Sequence, residues 1–341
     1  MRLRKIGYTL LILTALAVAA WYLQPMKKGT GINASIQYEL VKNWPQLPEN
    51  FVLGNPTGIA IDTNQNIVVF HRAYRNWPLL GSMPVSFITD NTIIILDRES
   101  GKILHSWGAN LFIMPHGLRV DKDNNIWITD VGLNQVFKFS HDGKLLMQLG
   151  EAKVAGNDKE HFNQPTDVAV ERDGSFYVSD GYGNSRIIKF SPSGKYLFEW
   201  GTKGNKNGEF NIPHGITIDA NSNVYVADRE NCRIQVFDST GKFLKKWDSK
   251  SFGNMCAVSF DRSKSKLFAV DDLSFLKIKH RGSDIFIFDT SGIVETRFGR
   301  SGSYTGSTGW FHDIAIDSDE NIYVGDILNN SILKFKKISA E

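Results

Sequence analysis

The stretch PHGLRVDKDNNIWITD, residues 115–130, carries the signal that decides the fold. Apolar side chains alternate at Leu118 and Val120 and again at Ile126 and Ile128, the period of a half-buried strand. Asn124-Asn125 separates the two runs, where a hairpin turns. Strand chemistry accounts for all of this except His116, an imidazole set between a proline and a glycine at the mouth of the first strand.

The segment recurs. PTGIAIDTNQNIVVFH begins at Pro56, PTDVAVERDGSFYVSD at Pro165, PHGITIDANSNVYVAD at Pro213, a degenerate MCAVSFDRSKSKLFAVD at Met255, and FHDIAIDSDENIYVGD at Phe311. The six copies are spaced by 59, 50, 48, 42 and 56 residues. Most continue into two further strands, as in QVFKFSHDGKLLMQLG (135–150), RIIKFSPSGKYLFEWG (186–201) and RIQVFDSTGKFLKKWD (233–248). Turn pairs such as Asp142-Gly143 and Ser193-Gly194 join those strands. Each unit therefore reads as a four-stranded antiparallel meander. Six such units predict an all-β, six-bladed β-propeller over residues 34–341, because a blade buries its faces only against its neighbours. The stretch ASIQYELVKNW (34–44) is expected to supply the outer strand of blade six, closing the ring, since little chain follows SILKF at 331–335. Six in-register copies argue against a sandwich or two smaller β domains.

The totals agree. The chain has 341 residues, 42% of them hydrophobic and 12% aromatic, enough for a large core. With a net charge of +3 and no blocks of like charge, nothing points to nucleic acid. Cys232 and Cys256 are too few for a disulfide framework; they either bridge or are buried thiols, and thiols are the preferred reading. The N-terminus is cationic (MRLRK), then apolar over residues 6–23, with Trp21 and Tyr22 at the far end and Lys27-Lys28 beyond. Residues 1–30 thus read as a hydrophobic helix with a tether, either an uncleaved membrane anchor or a signal peptide cleaved near 17–19, and the anchor is the preferred reading. Either way the positive-inside rule puts the propeller outside the cytoplasm, periplasmic or extracellular.

Aligning the copies explains His116. The second motif position is Thr57, His116, Thr166, His214, Cys256 and His312. Histidine occupies blades two, four and six, at intervals of 98 and 98 residues. First strands of a propeller line its channel, so three imidazoles at one height converge on the axis. Three neutral imidazoles with room for a fourth ligand make the pattern of a catalytic zinc site. A second register, at the end of each second strand, reads His71, Asp130, Asp180, Asp228, Asp271 and Asp326. The aspartates are expected to tie backbone N–H groups of turns. Arg72 and Arg229 follow this position on opposite blades, and Tyr182 stands two residues beyond it in blade three. On a channel carrying a metal, the two guanidiniums read as an anion-binding site suited to a carboxylate.

The segments NLFIMPHGL, DVGLNQVFKF, NQPTDVAV, VSDGYGNSRI and VADRENCRIQ closely resemble peptidyl-α-hydroxyglycine α-amidating lyase, from about residue 55 to about residue 335. The resemblance implies a zinc held by His116, His214 and His312, a catalytic Tyr182, and active-site Arg72 and Arg229. It also implies a structural calcium on the backbone carbonyls of Ile59 and Leu118 and the carboxylate of Asp313, positions that come from the resemblance alone. The reaction implied is cleavage of a C-terminal α-hydroxyglycine to an amide and glyoxylate. Tyr182, its pKa lowered by nearby cations, would be the general base, and an arginine would hold the free C-terminal carboxylate. His71 is expected to support Arg72 from behind. A monomer acting on a small-molecule or peptide substrate is the expectation.

The chain departs from the family in places. Asn163 with Gly183, and Tyr225 with Val236, stand where animal members have disulfides. Cys232 replaces a usual glycine, and Trp310-Phe311 replaces Met-Pro before the third histidine. Two other readings compete with the lyase: a non-catalytic NHL-repeat scaffold for protein binding, and a calcium-dependent lactonase-type propeller. The scaffold needs no axial histidines, and the lactonase needs hard oxygen ligands where this channel offers imidazoles.

Overall fold

Pro115 opens the strand Pro115–Val120, and the chain turns at Asn124, whose φ of 63° suits an asparagine. The turn is held by Asp121, whose carboxylate accepts N–H groups from Asp123 and Asn125 at 3.0 and 2.9 Å. Asp62, Asp219 and Asp317 hold the corresponding turns of blades one, four and six in the same way. The returning strand Ile126–Asp130 is buried throughout, then Gln135–Phe139 and Leu145–Leu149 complete the sheet. Gly143, at φ 92°, makes the last turn in a conformation that costs glycine little.

The computed structural model describes residues 38–78, 82–261, 263–275, 279–280, 282–299 and 308–338. Within them the unit repeats as six four-stranded antiparallel sheets. Their leading strands are Pro56–Ile61, Pro115–Val120, Pro165–Val170, Pro213–Ile218, Asn254–Asp261 and Phe311–Ile316. Each leading strand packs on that of the next blade, and the first packs on the sixth, so the ring closes. The closing strand comes from the other end of the chain. Tyr38–Leu40 pairs with Ser331–Lys337, Tyr38 opposite Lys337 and Leu40 opposite Phe335. The fold is the predicted six-bladed all-β propeller.

The core lies between blades. Val68, Phe70, Ile93 and Ile95 of blade one pack with Leu118, Ile126, Ile128 and Phe139 of blade two, with Phe112 between them. Burying each such side chain stabilises by about 1.5–3 kcal/mol, and no blade can collect that alone. The hydrophobic helix and tether expected over residues 1–30 lie outside the described residues. Among the described residues no helix is long and apolar enough to cross a membrane.

Candidate active site and metal centre

The three histidines meet. Their possible ligand atoms all lie within 4.8 Å of one another, and the ring centroids are 4.7, 4.7 and 4.9 Å apart. Each ring is aimed by the next blade. Nδ1 of His116 contacts the Thr166 carbonyl at 2.6 Å, Nδ1 of His214 the Cys256 carbonyl at 2.6 Å, and Nδ1 of His312 the Thr57 carbonyl at 2.8 Å. A carbonyl only accepts, so Nδ1 carries the proton and Nε2 presents its lone pair to the centre. The three accepting residues occupy the same motif position on the odd blades. The glycine after each of the first two histidines makes this approach possible. A Cβ on Gly117 would meet the Thr166 carbonyl at 2.5 Å, and one on Gly215 the Ala257 Cα at 2.7 Å.

Electrostatics hold the rings neutral. Burial, then the neighbouring imidazoles and Arg72, lower His116 well below its ordinary pKa, and burial with His312 and Arg229 does the same to His214. Burial and Arg72 bring His312 down to about 3. Neutral imidazoles whose second nitrogens are fixed by hydrogen bonds are what a metal ion requires. Cys256, on the equivalent position of blade five, is a different case: burial pushes its thiol up to about 12, and it stays protonated.

Tyr182 brings its hydroxyl to 3.1 Å from Nε2 of His116 and 3.0 Å from Nε2 of His214. Two cation–aromatic pairs flank it. The Arg72 guanidinium lies 5.1 Å from the Trp77 ring, and Trp77 packs on Tyr182 at 5.0 Å. The Arg229 guanidinium lies 5.9 Å from the Trp310 ring. Arg72 is anchored by the Pro115 carbonyl at 3.0 Å. Burial pulls it down to about 10, which leaves it charged at neutral pH. Arg229 is held by Glu230 at 3.5 Å and by the Cys256 side chain, and its buried Nε has no acceptor among the described residues. The expected lowering of the Tyr182 pKa is corrected here. Burial raises it more than Arg229 and Arg72 lower it, so the resting group is a phenol.

The NHL repeat model matches residues 112–139, 162–190 and 210–237. The chain is 37% identical over 328 residues to peptidyl-glycine alpha-amidating monooxygenase B of Xenopus laevis, covering 91% of this chain and 37% of that protein. It thus spans little more than a third of that longer relative. It is 32% identical over 295 residues to the probable peptidyl-alpha-hydroxyglycine alpha-amidating lyase of Caenorhabditis elegans, covering 83% of each. The chain belongs to the peptidyl-α-hydroxyglycine α-amidating lyase family. These are carbon–nitrogen lyases. Virginiamycin B lyase from Staphylococcus aureus shares the fold, with a TM-score of 0.57 at 12% identity over 88% of this chain and 99% of that one.

The lyase family's disulfide positions are neighbours here without being bridged. A Cβ on Gly183 would lie 2.0 Å from the Asn163 side chain, and Tyr225 stands directly opposite Val236. Cys232 and Cys256 are free thiols, and Cys232 adopts a φ of 50°, the left-handed conformation that favours the lyases' usual glycine. The aspartates that end the second strands do tie turns: Asp130 alone accepts N–H groups from Ile113, Met114, Gly132 and Leu133. His71, placed in that register, accepts the Ala73 N–H at Nδ1 and packs edge-on against Phe51.

The calcium implied by the lyase family does not fit its expected donors. Arg119 Nη1 lies 2.7 Å from the Leu118 carbonyl and 2.7 Å from Asp313 Oδ2. Asp313 Oδ2 also accepts the Ile59 N–H at 2.9 Å. Calcium needs six to eight oxygens drawn in around it. Here a guanidinium already claims two of the three expected donors. Trp77 and Arg119 were both missed by sequence reasoning. Trp77 sits in the aperiodic stretch between the strands Ile67–His71 and Ile93–Leu96. Arg119 did carry a signal, because the other five copies place Ala, Ser or Thr at its position.

Proposed function

We propose that this protein is a zinc-dependent lyase that cleaves a C-terminal α-hydroxyglycine into an amide and glyoxylate. One observation carries the reading: the Tyr182 hydroxyl stands at two of three converging Nε2 atoms, in reach of the field of two guanidiniums. His116, His214 and His312 would hold the zinc. When bound, zinc supplies Lewis acidity that makes a nearby hydroxyl a better acid.

In the reaction the bond between the hydroxylated carbon and the amide nitrogen breaks, and its electron pair leaves with nitrogen. The carbinol oxygen loses a proton and the nitrogen gains one, so the products balance without an added reagent. Tyr182 is the group placed to move that proton. Burial favours its protonated form in the metal-free site, and the phenol would protonate the departing nitrogen and be reloaded from the carbinol oxygen. The Arg229 guanidinium would receive the substrate carboxylate, and Arg72 adds positive potential at Tyr182. A substrate esterified at that carboxylate is excluded by this reading. The sequence character of residues 1–28 supports a place outside the cytoplasm, anchored at the membrane.

The test is glyoxylate release from N-benzoyl-α-hydroxyglycine and from a peptidyl-α-hydroxyglycine. Release that stops on chelation and returns with zinc is the expected result. Zinc-loaded protein that releases none from either substrate overturns the reading.

A further inference from the structure

We propose that Arg119 is a built-in cation that replaces the calcium implied by the family, so that this propeller ties its channel together without a calcium ion. The inference is independent of the reaction and of the metal on the histidines.

The third motif position shows why a cation is needed. It reads Gly58, Gly117, Asp167, Gly215, Ala257 and Asp313. Only blades three and six, opposite each other in the ring, carry a carboxylate there. Both are buried, at 3% exposure each. Two buried carboxylates facing one channel repel, and each has lost its water. Arg119 reaches between them from blade two. Nη2 lies 2.5 Å from Asp167 Oδ2 and Nη1 lies 2.7 Å from Asp313 Oδ2. The planar fork gives each carboxylate its own nitrogen, which the point charge of a lysine cannot do.

Backbone donors complete the cluster. Asp167 also accepts the N–H groups of Val168 and Ile216, at 2.8 and 3.0 Å. Asp313 also accepts those of Ile59 and Ile314, at 2.9 and 2.9 Å. Through these contacts the guanidinium ties blades one, two, three, four and six together. It acts directly beside the metal layer: Asp313 follows His312, and Asp167 follows Thr166, whose carbonyl aims His116. The calcium that the resemblance implies would join the Ile59 and Leu118 carbonyls to the Asp313 carboxylate, a tie across the same ring. Here a covalently attached charge makes it, and cannot be chelated away.

The experiment uses the full chain, desalted and with zinc held constant. Calcium content is measured by mass spectrometry of the elements, and thermal unfolding is followed as calcium is added. The wild type is expected to hold no stoichiometric calcium and to show a Tm that calcium leaves unchanged. Arg119→Ser frees both carboxylates and the Leu118 carbonyl. It is expected to lose roughly 5–10 °C in Tm and to regain most of it with calcium. One calcium per wild-type chain, or a wild-type Tm that climbs with calcium, overturns the proposal. So does a serine variant that is as stable as wild type, or one that folds, is destabilised and ignores calcium. Should the serine variant yield no folded protein, the wild-type calcium content alone decides.

Discussion

The hydroxyl oxygen of Tyr182 lies 3.0 Å from Nε2 of His214. The partner nitrogen of that ring, Nδ1, is fixed 2.6 Å from the Cys256 carbonyl, so the phenol is the donor and Nε2 the acceptor. A proton-carrying group is thereby held beside the atom that would bind a metal. The contact depends on burial twice over. Burial keeps His214 neutral and able to accept, and it keeps Tyr182 protonated and able to donate.

Tyr182→Phe removes the proton carrier and keeps the ring. Trp77, which packs on Tyr182 at 5.0 Å, retains its aromatic neighbour, and the three imidazoles keep their carbonyl anchors. Zinc content is expected to match wild type, while kcat for glyoxylate release falls by roughly 10²–10⁴-fold. A variant with wild-type kcat removes Tyr182 from the chemistry.

His214→Ala takes away one of three ligands and leaves two, too few for a stable site. The purified variant is expected to carry little zinc and no measurable lyase activity, and to stay folded, since the sheets are built from other side chains. Elemental analysis beside circular dichroism checks this. Full zinc occupancy in the variant contradicts the assignment of His214 as a ligand.

Arg229 is the guanidinium with a nitrogen to spare. Glu230 holds it at 3.5 Å beside the Cys256 side chain and its Nε has no acceptor among the described residues, whereas Arg72 donates to the Pro115 carbonyl at 3.0 Å. Arg229→Ala is therefore expected to raise KM by roughly 10–100-fold, the worth of a charge-assisted hydrogen bond, with a smaller change in kcat. Arg229→Lys should restore charge without the fork and recover only part of the loss. An unchanged KM in the alanine variant moves the carboxylate to another residue.

What the sequence revealed follows from what repetition makes visible. The blades were legible because the same alternation recurs and four of the six share the turn residues, with Asp121 and Asn125 repeated as Asp62 and Asn66, Asp219 and Asn223, and Asp317 and Asn321. The triad was legible because a threefold pattern in the channel shows as an even spacing in the chain. Single events were harder to read. Arg119 finds its partners 48 and 194 residues away, and nothing local hints at either contact. Trp77 lies where no period runs. The Tyr182 pKa went wrong for another reason: the sequence names neighbouring charges but not the depth of burial, and depth won.

His71 gives a test by pH. It is 1% exposed, and burial lowers its pKa to about 4 from the ordinary 6.5. Its Nδ1 accepts the Ala73 N–H, and its Nε2 has no partner among the described residues. As pH falls below 6.5 the unfolded chain takes up a proton on His71 that the folded chain refuses until about pH 4. The unfolded state therefore gains, and stability contributed by the neutral ring is present at neutral pH and lost across that interval. Between pH 7.5 and pH 5 the loss amounts to about 2 kcal/mol. The triad also titrates in acid, so the comparison must be with a variant that changes His71 alone. His71→Asn keeps an acceptor for Ala73 and does not titrate. Its denaturation midpoint is expected to fall less than that of wild type between pH 7.5 and pH 5, with the two proteins tested at equal zinc. Parallel pH profiles for the two would mean that the His71 ring takes up its proton as readily folded as unfolded.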